Sequence, residues 1–311
     1  MAEIILVHGI GQQRSSADNL ESAWLPTLAG GLRNIGDADL ADRLWRGSSQ
    51  PGGIDSRMAF YGQLFLSPGQ QGDEPGEFTA EEAVMAEALA QEWLHRSAIR
   101  SSRDKDRILA QRELAYVNRL MGEEQGVGSV ARSAVGSMAR IPWFATVGMA
   151  LAERTIRRDL AQVSRYFTDE AVRTAAQKQV MHLVDERTKV VIGHSLGSVV
   201  AYEVAHSLGQ ALPLLITLGS PLGLQSIVYQ RLRPQPPGYP LAVQHWVNVA
   251  DRNDLVAAEP DLIPFFGSTL PAGATFDGAF TADNSSDPHN AEFYLGKRRV
   301  AEALRSALRS G

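Results

Sequence analysis

The 311-residue chain contains no cysteine. Disulfides, thiolate nucleophiles and thiolate metal sites are thereby excluded, and the composition suits a reducing compartment. An excess of charge is lacking too: 30 Lys and Arg stand against 35 Asp and Glu, a formal net charge of −5, and no basic cluster offers the electrostatic footprint of a nucleic-acid partner. Long apolar runs are absent. The longest outside the strand candidates, IPWFATVGMALA at 141–152, falls short of the about 18 to 20 residues that span a bilayer, so no transmembrane segment is expected. The start, MAEIILVHGIG, has an acidic residue and then a strand where a secretory signal has a basic flank and a longer apolar core, and the protein as encoded is expected in the cytoplasm. What is present is 44% hydrophobic composition without low-complexity tracts, enough for one large α/β domain or two smaller ones with cores of their own.

Periodicity divides the chain in three. Ile4 to Val7 reads as a strand, and the following Asn19–Ile35 carries Leu20, Trp24, Leu28 and Leu32 on one helical stripe. A second strand begins near Arg57 in RMAFYGQLFL. From about 78 to 187 no strand pattern occurs, only helical stripes: Met85, Leu89 and Trp93 behind a Thr79–Glu82 capping box; Ala110, Leu114, Val117 and Met121; Ile156, Leu160, Val163 and Phe167; Val172, Ala176, Val180 and Leu183. Short apolar strands alternating with helices then return in VVIGHSLGSVVAYEVA, PLLITLGSPLGL and AVQHWVNVADRNDLVA, and a last helix runs from about Asn290 to Leu308. The expected fold class is therefore α/β: a doubly wound, mostly parallel sheet formed by 1–77 and 188–311, with an all-helical insertion at 78–187. That insertion is far too long for an ordinary βα connection, and a cap or lid role is expected for it.

Gly193-His194-Ser195-Leu196-Gly197 fits G-x-S-x-G with an apolar strand before it and a helix after it. In that context the serine occupies a strained turn which flanking glycines make sterically possible, its hydroxyl raised above the sheet edge. A serine hydroxyl is a poor nucleophile until a histidine accepts its proton, and the histidine needs a carboxylate to hold its tautomer. Among the seven histidines, His289 in DNSSDPHNAEFYL sits in a polar turn ahead of the last helix, where it can overhang the carboxyl edge of the sheet. For the carboxylate, NVADRNDLVAAEP offers Asp251 and Asp254. Asp254 is preferred because Leu255 and Val256 can anchor its turn in the core, with Asp251 as the alternative acid. An oxyanion hole needs two backbone N–H groups; Leu196 after the nucleophile and Ile10 in the glycine-bearing turn after the first strand are the candidates.

These stretches resemble the α/β-hydrolase superfamily, specifically its serine lipases and esterases. VHGIG is similar to the family's His-Gly oxyanion turn, GHSLG to its nucleophile elbow, RNDLVA to the acid turn of class 3 type lipases and PHNAEFYL to the histidine turn with nearby aromatics. The order Ser, Asp, His fits as well. The resemblance covers about 1–66 and 188–308. It departs at Ser198, where an extra glycine is common, at Ala257, where a proline is common, and in starting directly at the oxyanion strand, which implies a smaller sheet of six strands. It implies a carboxylic ester hydrolase acting through an acyl-enzyme, with a lipid or other acyl-chain ester as substrate; transient contact with a lipid surface is expected separately, from Trp143 and Phe144. No metal or organic cofactor is implied. An acyltransferase or thioesterase would use the same residues, and a non-catalytic ligand-binding protein of this fold is the alternative outside catalysis. Within the insertion, 126–153 has the most lid-like composition, with Trp143 and Phe144 in an exposed-looking IPWF stretch as the expected acyl-binding or lid residues. Chain length, headgroup and oligomeric state are not legible.

Overall fold

The computed structural model describes residues 2–47, 50–66, 78–101, 103–122, 127–144, 149–257, 259–285 and 287–309. Two compact units divide the chain: 1–64 together with 174–311, and 65–173. The first contains β1 (Ile4–Val7), α1 (Ala17–Asn34), α2 (Ala38–Trp45) and β2 (Ser56–Ala59). The second contains α3 (Ala80–Arg100), α4 (Asp104–Gly122), α5 (Val127–Ala139) and α6 (Met149–Thr168). Helix α7 (Glu170–Met181) crosses the division and leads back to β3 (Val190–His194), α8 (Leu196–His206), β4 (Leu212–Leu218), β5 (Val243–Asp251), α9 (Ile263–Phe266), β6 (Thr275–Ala282), α10 (Ala291–Leu295) and α11 (Arg298–Arg309).

The six strands form one parallel sheet in the order β2-β1-β3-β4-β5-β6. Parallel strands covered on both faces must be apolar at consecutive positions, which is why they read as continuous hydrophobic runs. On one face Ile4, Leu6, Val190, Ile192, Leu214 and Ile216 join a core with Trp24 and Leu28 of α1, Leu44 of α2 and Leu304 of α11. On the other, α8 packs against β1, β3 and β4. There Trp246 lies among Tyr202, Tyr239, Phe266 and Phe276, with ring centroids 4.6–5.7 Å apart. Thr217 joins β4 to β5 by accepting from Trp246 Nε1 at 3.0 Å and donating to Asn248 Oδ1 at 2.9 Å. Asn248 Nδ2 donates to the carbonyls of Pro260 and Gly278, so its buried amide has partners on both sides.

Two elements differ from the sequence pattern. Strand β6 is not marked by apolar continuity: as an edge strand it leaves Thr275, Phe280 and Thr281 exposed, and Gly278 interrupts it where a Cβ would fall 2.7 Å from the Phe276 ring. The last helix is broken at Gly296 into α10 and α11. The helical unit spans 65–173 where the pattern placed 78–187, because from Thr174 onward α7 belongs with the sheet unit; Gln177 Nε2 on α7 donates to Glu203 on α8 at 2.7 Å. Within the helical unit α3 starts with the expected capping box, Thr79 and Glu82 each bonding the other's backbone N–H. The Met121 side chain and residues 126 and 145–148 of the lid-like stretch lie outside the described residues. No described helix is long and apolar enough to cross a membrane.

The strand order places a topological switch between β1 and β3. From β1 the chain goes outward to β2 on one side, then returns to build β3 to β6 on the other. Open α/β sheets bind ligands in the crevice that this divergence leaves at the carboxyl ends of the strands. Closure there depends on a missing side chain, since a Cβ on Gly197 would lie 2.3 Å from the carbonyl oxygens of both Val7 and His8. Gly197→Ala is expected to cost about 3 kcal/mol or more. Gly30→Ala in α1, where a Cβ meets nothing within 4 Å, is expected to gain about 0.5–1 kcal/mol from helix propensity. Urea denaturation of the two variants checks the contrast.

Candidate active site

Strand β3 runs into α8 through Ser195, whose φ of 52° and ψ of −128° lie where side-chain-bearing residues pay about 1–3 kcal/mol of strain. Neighbouring glycines make the turn possible. A Cβ on Gly193 would sit 2.6 Å from the Gly197 carbonyl oxygen, and one on Gly9 would sit 2.7 Å from Ser195 Cβ. Ser195 is the N-cap of α8, a place where a serine oxygen ordinarily accepts from an N–H of the first turn. It makes no such bond. Its Oγ instead meets His289 Nε2 at 3.0 Å.

His289 Nδ1 lies 2.8 Å from Asp254 Oδ2. A carboxylate accepts, so Nδ1 carries the proton and Nε2 is left as acceptor for the Ser195 hydroxyl. The Asp254 side chain is wholly buried and takes four donors: the N–H groups of Val256 and Ala257 on Oδ1, at 3.0 and 3.1 Å, and His289 Nδ1 and the Tyr294 hydroxyl on Oδ2, both at 2.8 Å. Ala257 thus supplies an N–H that a proline lacks. Of the two candidate acids only Asp254 touches His289. Asp251 accepts from Asn253 N–H at 2.7 Å and from Asn284 N–H, and Asn284 Nδ2 donates to the Pro288 carbonyl at 2.9 Å. Asp251 therefore clamps the acid turn to the loop that carries His289.

Two further histidines hold the site in place. His194 Nε2 donates to the His289 carbonyl at 2.9 Å, with ring centroids 4.7 Å apart. Burial, reinforced by the adjoining His289, pushes His194 well below its ordinary range, so it remains neutral. His8 donates from Nδ1 to the Gly9 carbonyl at 2.7 Å, accepts Tyr61 N–H on Nε2 at 3.1 Å and stacks on the Tyr61 ring at 4.2 Å. Burial lowers His8 to about 4. With the Gly9 carbonyl held back and Gly9 packed against Ser195, the next N–H belongs to Ile10. Neither Ile10 N–H nor Leu196 N–H has a backbone or side-chain acceptor among the described residues, as two donors of an anion site require. Ser198 bonds the Ser195 carbonyl and the Ser220 hydroxyl, a buried polar link from the elbow to the turn after β4.

Trp143 and Phe144 belong to the helical unit and are half-buried, not exposed. Their rings meet at 4.7 Å, Phe144 stacks on Trp93 of α3 at 6.5 Å, and Trp143 Nε1 is buried with no acceptor among the described residues. The contacts around Tyr294, His194 and His8 were missed because no spacing in the chain announces them; the aromatic in PHNAEFYL was the one available signal for Tyr294.

The two buried neutral histidines tie stability to pH. Their folded-state values lie below the unfolded 6.5, so the unfolded chain binds more protons and stability falls as pH drops from about 6.5 toward 4, His8 alone accounting for about 3 kcal/mol. Denaturation between pH 7.5 and 5 is expected to show this loss, with a shallower slope in His8→Asn despite its lower stability at neutral pH. Comparison of the chain with protein-family models, curated protein sequences and solved structures returns no match, so the chemistry of the site rests on its geometry.

Proposed function

We propose that the chain is a serine hydrolase of α/β-hydrolase type that cleaves carboxylic esters through an acyl-enzyme. The observation that carries this reading is the Ser195 hydroxyl: withheld from its own helix cap, it is engaged by His289 in a turn that strain and glycines hold at the switch point of the sheet. A small residue needed only for a tight turn has no reason to point at an imidazole whose other nitrogen is held by a buried carboxylate.

On this reading Ser195 Oγ attacks the ester carbonyl carbon while His289 Nε2 takes the hydroxyl proton, and Asp254 stabilises the imidazolium without becoming protonated. The carbonyl oxygen becomes an oxyanion held by the N–H groups of Ile10 and Leu196. Collapse breaks the bond to the alcohol, which leaves with the proton returned by His289. Water then attacks the acyl-serine, giving its proton to His289, and the acid departs as Oγ is reprotonated. The resemblance to lipases supports an acyl-chain ester as substrate.

The test is labelling by a fluorophosphonate probe together with hydrolysis of short p-nitrophenyl esters. Ser195→Ala is expected to abolish labelling and to reduce turnover about 10⁴-fold or more, and Asp254→Asn to lower the rate far more than Asp251→Asn, because only Asp254 sets the His289 tautomer. Turnover in folded Ser195→Ala within tenfold of the parent protein would refute the proposal.

A further inference from the structure

The Tyr294 hydroxyl stands between two loops. It lies 2.8 Å from Asp251 N and 2.8 Å from Asp254 Oδ2. The backbone N–H can only donate and the carboxylate can only accept, so the orientation is forced: Tyr294 receives from Asp251 N–H and donates to Asp254. Oδ2, the oxygen that holds His289 Nδ1, is thus shared between an imidazole and a phenol. The phenol is well placed to keep that arrangement. Its ring is fully buried, α10 carries it directly after His289 with Asn290 as N-cap, and Gly219, at φ +52°, leaves the space where a Cβ would fall 2.9 Å from Asp254 Oδ2 and 3.0 Å from the Tyr294 ring.

The geometry points to Tyr294 as a positioning residue that sets the proton affinity of His289 by drawing on the same carboxylate oxygen. This deepens the serine-hydrolase reading and rests on it for its catalytic meaning. A carboxylate that gives part of its negative charge to a second strong donor holds an imidazolium less tightly. The phenol thereby keeps His289 neutral, and able to act as a base, at lower pH than an unshared Asp254 would allow. Burial, then the adjoining Asp254, raises the Tyr294 phenol, so it remains a neutral donor. Among the described residues, the groups facing the pair include Asp251 from the end of β5 and His194 from the end of β3, and His8 acts in turn on His194. Charged groups on the histidine loop are turned to other partners: Asp283 accepts from Ser285 N–H, Asp287 from Asn290 Nδ2, and Lys297 Nζ donates to the Asp283 carbonyl.

Two replacements move donor strength in opposite directions. Tyr294→Phe removes the donor, and 3-fluorotyrosine at position 294 strengthens it with almost no change of volume. The readouts on the full-length protein are the His289 ring titration by NMR with labelled histidine, which needs no turnover, and the acid limb of p-nitrophenyl acetate hydrolysis. Tyr294→Phe is expected to move both midpoints to higher pH by about half a unit to one unit, with KM unchanged; 3-fluorotyrosine is expected to move them to lower pH. A folded Tyr294→Phe with an unmoved midpoint, or two replacements shifting it the same way, overturns the inference. Should Tyr294→Phe fail to fold because Asp251 N–H has lost its acceptor, the fluorinated protein decides alone, and an unmoved midpoint there is the contradicting result. A chain that hydrolyses no ester while its His289 titration shifts as stated refutes the serine-hydrolase reading and leaves the role of Tyr294 standing.

Discussion

The carboxyl edge of the sheet is organised by one close approach: the turn at the start of α8 sits against the end of β1 with no room for a side chain at Gly9, Gly193 or Gly197. Because backbone meets backbone there, the first turn of α8 cannot tilt away, and Ser195 is forced into a conformation that projects its hydroxyl out of the cap and toward His289. The same approach brings the Gly9–Ile10 turn beside Ser195, with His8 fixing the Gly9 carbonyl from behind. Local strain at one residue is affordable because a large apolar sheet, buried on both faces, sets the positions of β1 and β3 beneath it.

The second requirement is that a carboxylate remain charged in a dry place. Four donors from the acid turn, the histidine loop and α10 converge on Asp254, and each fixes a segment as well as satisfying a lone pair. Asp251 performs the parallel task one turn earlier by bonding backbone instead of side chain. Two acids three residues apart therefore divide the work: one faces the histidine, the other holds the loop that carries it. His194 adds a third fixture by holding the His289 backbone from the nucleophile side. Small errors in any of these loops would lengthen the Ser195 to His289 contact, and proton transfer is steeply sensitive to that distance.

Much of this was legible in the chain because burial on both faces makes central parallel strands continuous apolar runs, and β1, β3, β4 and β5 announce themselves that way. Strand β6 does not, since an edge strand with Asp277 and Gly278 in its middle carries no such pattern. Helix α7 has the same amphipathic period as the helices before it, and a period says that one face is buried without saying against what, so the boundary of the helical unit fell elsewhere. At the site, Ser195 is visible through its flanking glycines and His289 through its place in a polar turn; Asp254 stood out from Asp251 because Leu255 and Val256 follow it. The roles of Tyr294 and His194 were illegible because they arise from contacts spanning 40 and 95 residues of chain, which only the folded sheet brings together.

The central claim is that the strained, uncapped hydroxyl of Ser195 is a nucleophile that carries the acyl group of an ester. The most direct measurement is to mix the protein with excess p-nitrophenyl acetate, quench with acid within the first turnover and map the acetylated peptide by mass spectrometry. The account predicts a burst of p-nitrophenol stoichiometric with protein and an acetyl group on Ser195, accumulating before steady-state release. Release of p-nitrophenol without a burst and without acetyl on Ser195, or acetylation confined to surface lysines, would contradict it.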